Sequence, residues 1–541
     1  MSAEQFDYII VGAGSAGCVL ANRLSENPRH KVLLLEAGGT DRRFWVKVPL
    51  GYAFTFSDPR VNWRYNADAD PGLNNRQAYW PRGRVIGGSS TINAMAYLRG
   101  LPNDFDDWEK AGAAGWGWSD IEPVYERLET RAEYDEAGKP VTRGSGPLWV
   151  SDLSRNMHPF SYRFFDMARD MGWPVSPDIN SQEREGLALL RSTVKDGHRW
   201  SSADAFLRSA QKRPNLKIVS HALVERIIIE NGRASGVSYR LGEKRMNAFA
   251  GRETIISAGA INSPQLLQLS GIGDPELLKS HGINVNHALP EVGHGLQDHL
   301  AITQYYRATV PTLNNRLGHV IGQYIAGIQY MLTRQGPLGV PVNQVSGFVR
   351  SNPDRPHPDI QIYCNPAAYS TNAAGKTEID REPGFLLSAQ PGRPTSRGRV
   401  QITSNDPNVP PAIQPNSLST QEDRDTAIAA SRIVQKMAAT PTIAALTRHA
   451  LEPDISRMND DELLENFRER AGTVYHPTCT CRMGTDENNS VVDARLRVHG
   501  IASLRVADAS AFPNITTGNT NAPTIMLGEK GAALILEDAS L

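Results

Sequence analysis

Phe6-Asp7-Tyr8-Ile9-Ile10-Val11-Gly12-Ala13-Gly14-Ser15-Ala16-Gly17 is the stretch whose reading decides the fold. Phe6 to Val11 reads as a short buried strand, Gly12-x-Gly14-x-x-Gly17 as the turn out of it, and a helix should start just after Gly14. Lys31 to Leu35 then reads as a second strand that ends at Glu36. Strand, glycines, helix and acid in this register make a dinucleotide fingerprint. The glycines let backbone approach a pyrophosphate, the helix start supplies free N–H groups and a positive dipole end, and Glu36 can accept both hydroxyls of a ribose. An acid at that place argues against a 2′-phosphate. The plainer alternative is a tight β–α turn that holds nothing, and the agreement of all four features weighs against it.

A second glycine segment follows about 70 residues on: Gly83-Arg84-Val85-Ile86-Gly87-Gly88-Ser89-Ser90-Thr91-Ile92-Asn93. An NAD enzyme has no need of it. Two adjacent glycines, hydroxyls and an Asn would let main chain run close under a flat ring and hydrogen-bond its polar edge, a demand that an isoalloxazine makes. On its own the segment also reads as an ordinary Gly/Ser loop.

Length and composition describe a large enzyme. The chain has 541 residues, 40% hydrophobic and 21% charged, enough to bury a sizeable core in more than one structural unit. Lys and Arg number 57 against 58 Asp and Glu, so nothing favours nucleic acid and no basic run suggests an anionic membrane. Cys18, Cys364, Cys479 and Cys481 are too few to staple a chain this long, which points to a reducing compartment. Ile9 to Ala21 imitates the apolar part of a signal peptide, and Ser15 to Cys18 faintly imitates a lipoprotein cleavage site. The residues before them carry Glu4 and Asp7 and no base, where a secretory segment is positive. With no run of 18 apolar residues the expectation is a cytoplasmic protein without a transmembrane segment, docking to a membrane surface being left open.

Taken with its later motifs, the chain resembles a glucose-methanol-choline (GMC) oxidoreductase over essentially its whole length. Gly83 to Asn93, continued by Tyr97, Gly100 and Asp106, is similar to the family's first signature, and Gly259-Ala260-Ile261-Asn262-Ser263-Pro264 through Gly273 to its second. Gly295-Leu296-Gln297-Asp298-His299, Tyr475-His476-Pro477, Leu504 to Ser510 and Asn519-Thr520-Asn521-Ala522-Pro523-Thr524 follow in the family's order. The resemblance implies an α/β protein, α+β overall: a Rossmann-like FAD-binding domain from residues 1–155, 215–300 and 465–541, interleaved with a sheet-plus-helices substrate domain from 156–214 and 301–464. Asn215 to Val219 and Ala222 to Ile229 read as strands of the first domain, with Gly232 as a hairpin turn before Gly236 to Tyr239. Gly398 to Ile402 alternates as a half-buried strand of the second, and a sheet of such strands would wall the open face of the flavin.

The same resemblance implies FAD held by Gly12, Gly14, Ser15, Ala16, Gly17 and Glu36, by Arg84, Val85, Gly88, Asn93, Ala94, Met95 and Ala96, and by Val224 and Ala258. Tyr475, Asp508, Ala509, Asn521, Pro523 and Thr524 complete that set. Some members attach FAD through a histidine directly before the Asn of the first signature. Here that position is Ile92, which offers no atom for the bond, so the FAD is expected to be non-covalent.

Oxidising an alcohol requires its hydroxyl to lose a proton. A neutral imidazole, reference pKa near 6.5, can take it while a neighbouring donor holds the developing alkoxide. His476 and Asn521 match the family's catalytic histidine and its His-or-Asn partner; taken alone, each would more often be structural. His476-x-x-Cys479-x-Cys481 offers three metal-type side chains, but a closed zinc site wants four and a wider cysteine spacing, so no metal is expected. The Cys479/Cys481 pair reads as buried packing rather than thiol redox, and Trp108, Trp116 and Trp118 as core packing. The expected activity is oxidation of a primary alcohol or polyol by hydride transfer to flavin N5. Oxygen, a quinone or another acceptor then reoxidises the FAD, and a dehydrogenase is favoured over an oxidase. A hydroxynitrile lyase, a light-driven fatty acid decarboxylase and a non-catalytic flavin-binding protein are the alternatives on the same fold.

Overall fold

The computed structural model describes residues 4–181, 185–371 and 377–540. Strand Glu4–Val11, helix Ser15–Leu24 and strand Val32–Glu36 form in the order read from the sequence. Tyr8, Ile9 and Ile10 and the whole Val32–Glu36 strand are buried, the uninterrupted burial of a parallel strand covered on both faces. Leu216–Ser220 pairs in parallel with Val32–Glu36 and so forms one edge of a seven-stranded sheet. On the other side, Lys244–Ile256 does two jobs. Its N-terminal half continues the antiparallel hairpin Ala222–Glu230 and Arg233–Leu241, while Thr254 to Ile256 lies between Glu4–Val11 and Leu504–Val506, parallel to both. The hairpin reverses at Asn231-Gly232, both at positive φ (52° and 73°), a two-residue turn whose twist suits antiparallel strands.

A six-stranded antiparallel sheet stands beside it, in the order Val345–Val349, Ile360–Asn365, Gly384–Pro391, Leu300–Ala308, Thr447–Ala450, with Gly472–Thr473 on the near end of Leu300–Ala308. Helices Gln421–Ala439 and Asp460–Arg470 pack on it and share its apolar core. Gly398–Gln401 is a strand and alternates as expected, Val400 buried and Arg399 exposed, but it does not belong to that sheet. It pairs with His294–Leu296 and Ala412–Gln414. The reason is Gln268 of helix Gly259–Leu269, whose amide donates to Val400 O (3.1 Å) and accepts from Ile402 N (2.9 Å) and so ties the strand down. Trp108 and Trp116 are fully buried in the core of the first sheet, their indole N–H groups donating to Asn514 O and Ala494 O.

Candidate active site

A cavity of about 850 Å³ runs from the C-terminal ends of Glu4–Val11 and Val32–Glu36 to the six-stranded sheet, where Thr303, Tyr305, Leu386 and Ser388 line it. Its floor is backbone that only glycine permits. A Cβ on Gly12 (φ +101°) would stand 2.4 Å from Ser257 O, and one on Gly17 would stand 1.9 Å from Gly12 O, so Gly17 lets the helix close on the strand. Gly88 (φ +54°) brings the second glycine segment onto the first: a Cβ there would lie 2.6 Å from Gly14 Cα, and Gly87 N donates to Ala13 O at 2.7 Å. The two motifs, far apart in sequence, therefore form one cradle at the start of helix Ser15–Leu24.

Glu36 lines the cavity with its carboxylate fixed by Ala13 N (2.9 Å) and Gly38 N (2.7 Å), each oxygen keeping a second lone pair. Burial pushes its pKa up to about 7 against the pull of those two N–H groups. Gly12, Gly14, Ser15, Ala16, Gly88 and Asn93 to Ala96 line the same space, as do Val224, Ala258, Tyr475, His476, Asp508, Ala509, Asn521 and Thr524. Four residues expected at the cofactor do not line it: Gly17, Arg84, Val85 and Pro523. Gly17 acts through helix packing. Arg84 places its guanidinium 4.6 Å over the Trp63 ring, and Val85 is buried with Val46, Val61 and Ile92. Pro523 is buried in the first turn of helix Asn521–Asp538. Asp508 spends its carboxylate on the chain, accepting from Gly259 N, Ser263 Oγ and Ser510 N, and so caps the following turn and anchors helix Gly259–Leu269.

His476 sits on the opposite wall, in a segment that the chain distorts to place it. Tyr475, which precedes it, is left-handed at φ 69°, a conformation costing about 1–3 kcal/mol that surrounding bonds must hold. Thr473 Oγ1 accepts from Tyr475 N, Arg82 Nη2 donates to Tyr475 O, and Asp298 Oδ1 accepts from His476 N (2.7 Å). Asp298 also receives the hydroxyl of Thr473, and burial raises its pKa to about 6.

The hydrogen bonds around the His476 ring fix its tautomer. His299 Nε2 faces Gly392 O at 2.9 Å, so it carries the proton, and His299 Nδ1 is left as an acceptor. His476 Nδ1, 3.0 Å away, must then donate to it, which leaves the lone pair on His476 Nε2. On that side Asn519 Nδ2 donates at 3.0 Å. The Asn519 amide is itself oriented: Gln361 Nε2 donates to Tyr363 Oη (2.9 Å), so the Tyr363 hydroxyl donates to Asn519 Oδ1 (2.7 Å) and the amide nitrogen is turned to the histidine. Burial, with His299 and the Arg82 cation nearby, holds the His476 pKa well below 6.5, and burial takes His299 to about 4. Both rings are neutral near pH 7.

Asn521 does not meet His476. Its Oδ1 accepts from Ser15 Oγ at 2.9 Å, joining the first turns of helices Asn521–Asp538 and Ser15–Leu24 on the glycine side of the cavity. The partner of the histidine is Asn519, two residues earlier and just before that helix begins. Gly-Asn-Thr-Asn offers two amides, and sequence spacing cannot tell which one faces the ring. His299, Asp298, Arg82, Tyr363 and Gln361 were likewise without a role in the sequence, although Asp298 and His299 lay inside a motif. Cys479 and Cys481 are fully buried and unpaired, with burial raising both thiols, and among the described residues no group of His, Cys, Asp and Glu is arranged to hold a metal.

Comparison with known proteins agrees along the whole chain. The N-terminal model of the GMC oxidoreductase family matches residues 6–301 and the C-terminal model matches residues 394–528. An oxygen-dependent choline dehydrogenase of Vibrio vulnificus is 39% identical over 541 residues, covering 99% of this chain and 95% of its own. An alcohol dehydrogenase [acceptor] of Pseudomonas putida is 40% identical over 539 residues, covering 99% and 96%. Among solved structures, pyridoxine 4-oxidase from Mesorbium loti superposes with a TM-score of 0.86 at 30% identity, covering 98% of each chain.

Proposed function

The chain belongs to the GMC oxidoreductase family, and on that premise we propose that it oxidises a primary alcohol or polyol with non-covalently bound FAD, His476 acting as the base. The family is FAD-dependent, and the residues present fit that group: a cradle that Cβ atoms would fill, a free helix start and an acid at the end of the second strand. FAD, when bound, supplies the hydride acceptor. Ile92, a lining residue whose aliphatic side chain packs with Val46, Val61 and Val85 and offers no atom for a bond, supports non-covalent attachment.

The observation that carries the proposal is the hydrogen-bond chain from Gly392 O to Gln361. It leaves the one lone pair of the His476 ring on Nε2, inside the cavity, where the Asn519 amide N–H donates to it. An alcohol hydroxyl that takes the place of the Asn519 amide on Nε2 donates to Nε2 and accepts from the displaced Asn519 Nδ2. As the proton moves to Nε2, the Asn519 amide steadies the oxygen that becomes negative. His476 Nδ1–H keeps its bond to His299 throughout, so the ring gains a proton without turning. Asp298 holds the main chain of the histidine and the hydroxyl of Thr473 in place. We take the seven-stranded sheet as the centre of a FAD-binding part drawn from residues 1–155, 215–300 and 465–541, and the six-stranded sheet, apart from its short strand Gly472–Thr473, as the substrate side. The names of the relatives support an alcohol as substrate. Anaerobic mixing with alcohols, polyols and choline, read as bleaching of the flavin near 450 nm, about the usual flavin band, tests the proposal. Bleaching by one of them is expected, and a flavin that no alcohol reduces would contradict it.

A further inference from the structure

Helix Val320–Thr333 carries its apolar side chains outward. Ile321, Tyr324, Ile328 and Leu332 are 75, 71, 60 and 80% exposed, and their spacing puts them in one stripe along the helix. The opposite face, Ala326 and Tyr330, is the buried one. No residue of the helix is charged. Leu50 and Leu338 pack against the cluster that includes Ala326, and the turn Pro49–Gly51 rests on Pro337–Gly339. A few residues either side of that turn come Phe44 (50% exposed), Trp45 and Phe54 (54%), with the Trp45 and Phe54 rings stacked 4.2 Å apart. An apolar stripe of this kind joined to an exposed aromatic cluster is unusual for a surface that meets only water.

Charge decides what covers it. Residues 309–349 contain Arg316 and Arg334 and no Asp or Glu, and residues 42–57 contain Arg42, Arg43 and Lys47 and no acid. The neighbouring Asp41 is buried and paired with Lys47 and Arg208, and Lys47 is paired with Asp204 as well, so the positive charge of that segment rests on Arg42 and Arg43. Arg334 flanks the C-terminal end of the helix over the Tyr330 ring, and the guanidinium of Arg316 reaches Gln329, one turn before that same end. A helix without charge, bordered by cations and an exposed Trp and Phe, has the chemistry of a segment that lies in the interface of a bilayer with acidic headgroups. A second copy of the chain fits less well. The helix is about 21 Å long and 10–12 Å wide, far short of the roughly 800 Å² per partner of a stable protein interface, and pairing would bring like-charged borders together.

We propose that this face docks on an anionic lipid bilayer, with helix Val320–Thr333 and the Phe44/Trp45/Phe54 cluster seated at headgroup depth. The helix does not cross the membrane, and among the described residues no helix is long and apolar enough to do so. The purified full chain should sediment with phosphatidylcholine vesicles containing about 30% phosphatidylglycerol, and far less with phosphatidylcholine alone or after salt is raised. The triple substitution Ile321→Glu/Ile328→Glu/Leu332→Glu should weaken sedimentation at least about tenfold while the protein keeps its melting temperature. Phe54→Ser alone, away from the helix, should weaken it less, which covers the event that the triple variant is unstable. Failure of the parent to sediment with acidic vesicles would overturn the proposal, and so would equal binding to neutral ones. Light scattering that finds a parent dimer split by the triple substitution would give the face to a second copy instead.

Discussion

The glycine cradle and the histidine site occupy the same cavity and are built in opposite ways. The cradle is a backbone object. Gly12, Gly17 and Gly88 act by lacking a side chain, and Glu36 stands at the end of a strand only five residues long. The histidine site is a side-chain object: His476, His299, Asn519 and Tyr363 come from four separate segments, and each matters for which of its atoms carries a hydrogen. The first kind of site is written in local spacing. The second exists only once the chain has closed on itself.

The largest effect should come from breaking the second site at its centre. His476→Ala should keep FAD and lose flavin reduction by roughly 10²- to 10⁴-fold, read anaerobically by stopped flow. A near-parental rate would remove the base from the account. Glu36→Ala tests the other pole. It should weaken FAD binding by about 1.5–3 kcal/mol, measured by fluorescence titration of the apoprotein, and leave the reduction rate of the FAD-loaded enzyme nearly unchanged. A normal affinity with a slow chemical step would contradict the placing of Glu36 at the adenosine end.

Smaller effects separate direct from supporting roles. Tyr363→Phe frees the Asn519 amide to turn and should slow reduction by about 2- to 12-fold, the worth of one hydrogen bond, without changing FAD affinity. A loss equal to that of His476→Ala would mean that the tyrosine touches the reacting atoms. The pH profile should show the least change. Because the folded His476 pKa lies well below 6.5, the ring is already neutral at that pH, so the rate should be flat from about pH 6.5 to about pH 8.5 and fall only on the acid side. The same depression works on stability: below pH 6.5 the unfolded chain takes up protons that folded His476 and His299 refuse, so stability declines as pH falls. A limb centred above pH 6.5 would show a different titrating group.

What the sequence made legible follows the same division. The strand, turn, helix and acid of Gly12 to Glu36 were readable because each is a local pattern, and so was the Asn231-Gly232 hairpin. Gly398–Gln401 was readable as a strand but not as to its sheet, since its partners are His294–Leu296, about 100 residues before it, and Ala412–Gln414 after it, and the tie is one side-chain amide, Gln268. Arg84 and Val85 sit in a segment that does build the cradle, yet their side chains turn away into Trp63 and an apolar cluster, which residue type alone does not reveal. The assignment of Asn521 rather than Asn519 shows the limit most plainly. Two residues of spacing at a helix start place one amide against Ser15 and the other against His476.

That pair also offers the most direct test of the central claim, that His476 Nε2 works opposite the Asn519 amide. Anaerobic flavin reduction by the same alcohol should be measured in Asn519→Ala and Asn521→Ala side by side. Asn519→Ala should lose about 2.7–4 kcal/mol of barrier lowering, roughly 10²- to 10³-fold in rate, with FAD retained. Asn521→Ala should lose less than about tenfold and show its effect in FAD affinity, as removal of one bond to Ser15 predicts. The reverse order, with Asn521→Ala crippling reduction while Asn519→Ala leaves it intact, would contradict the account.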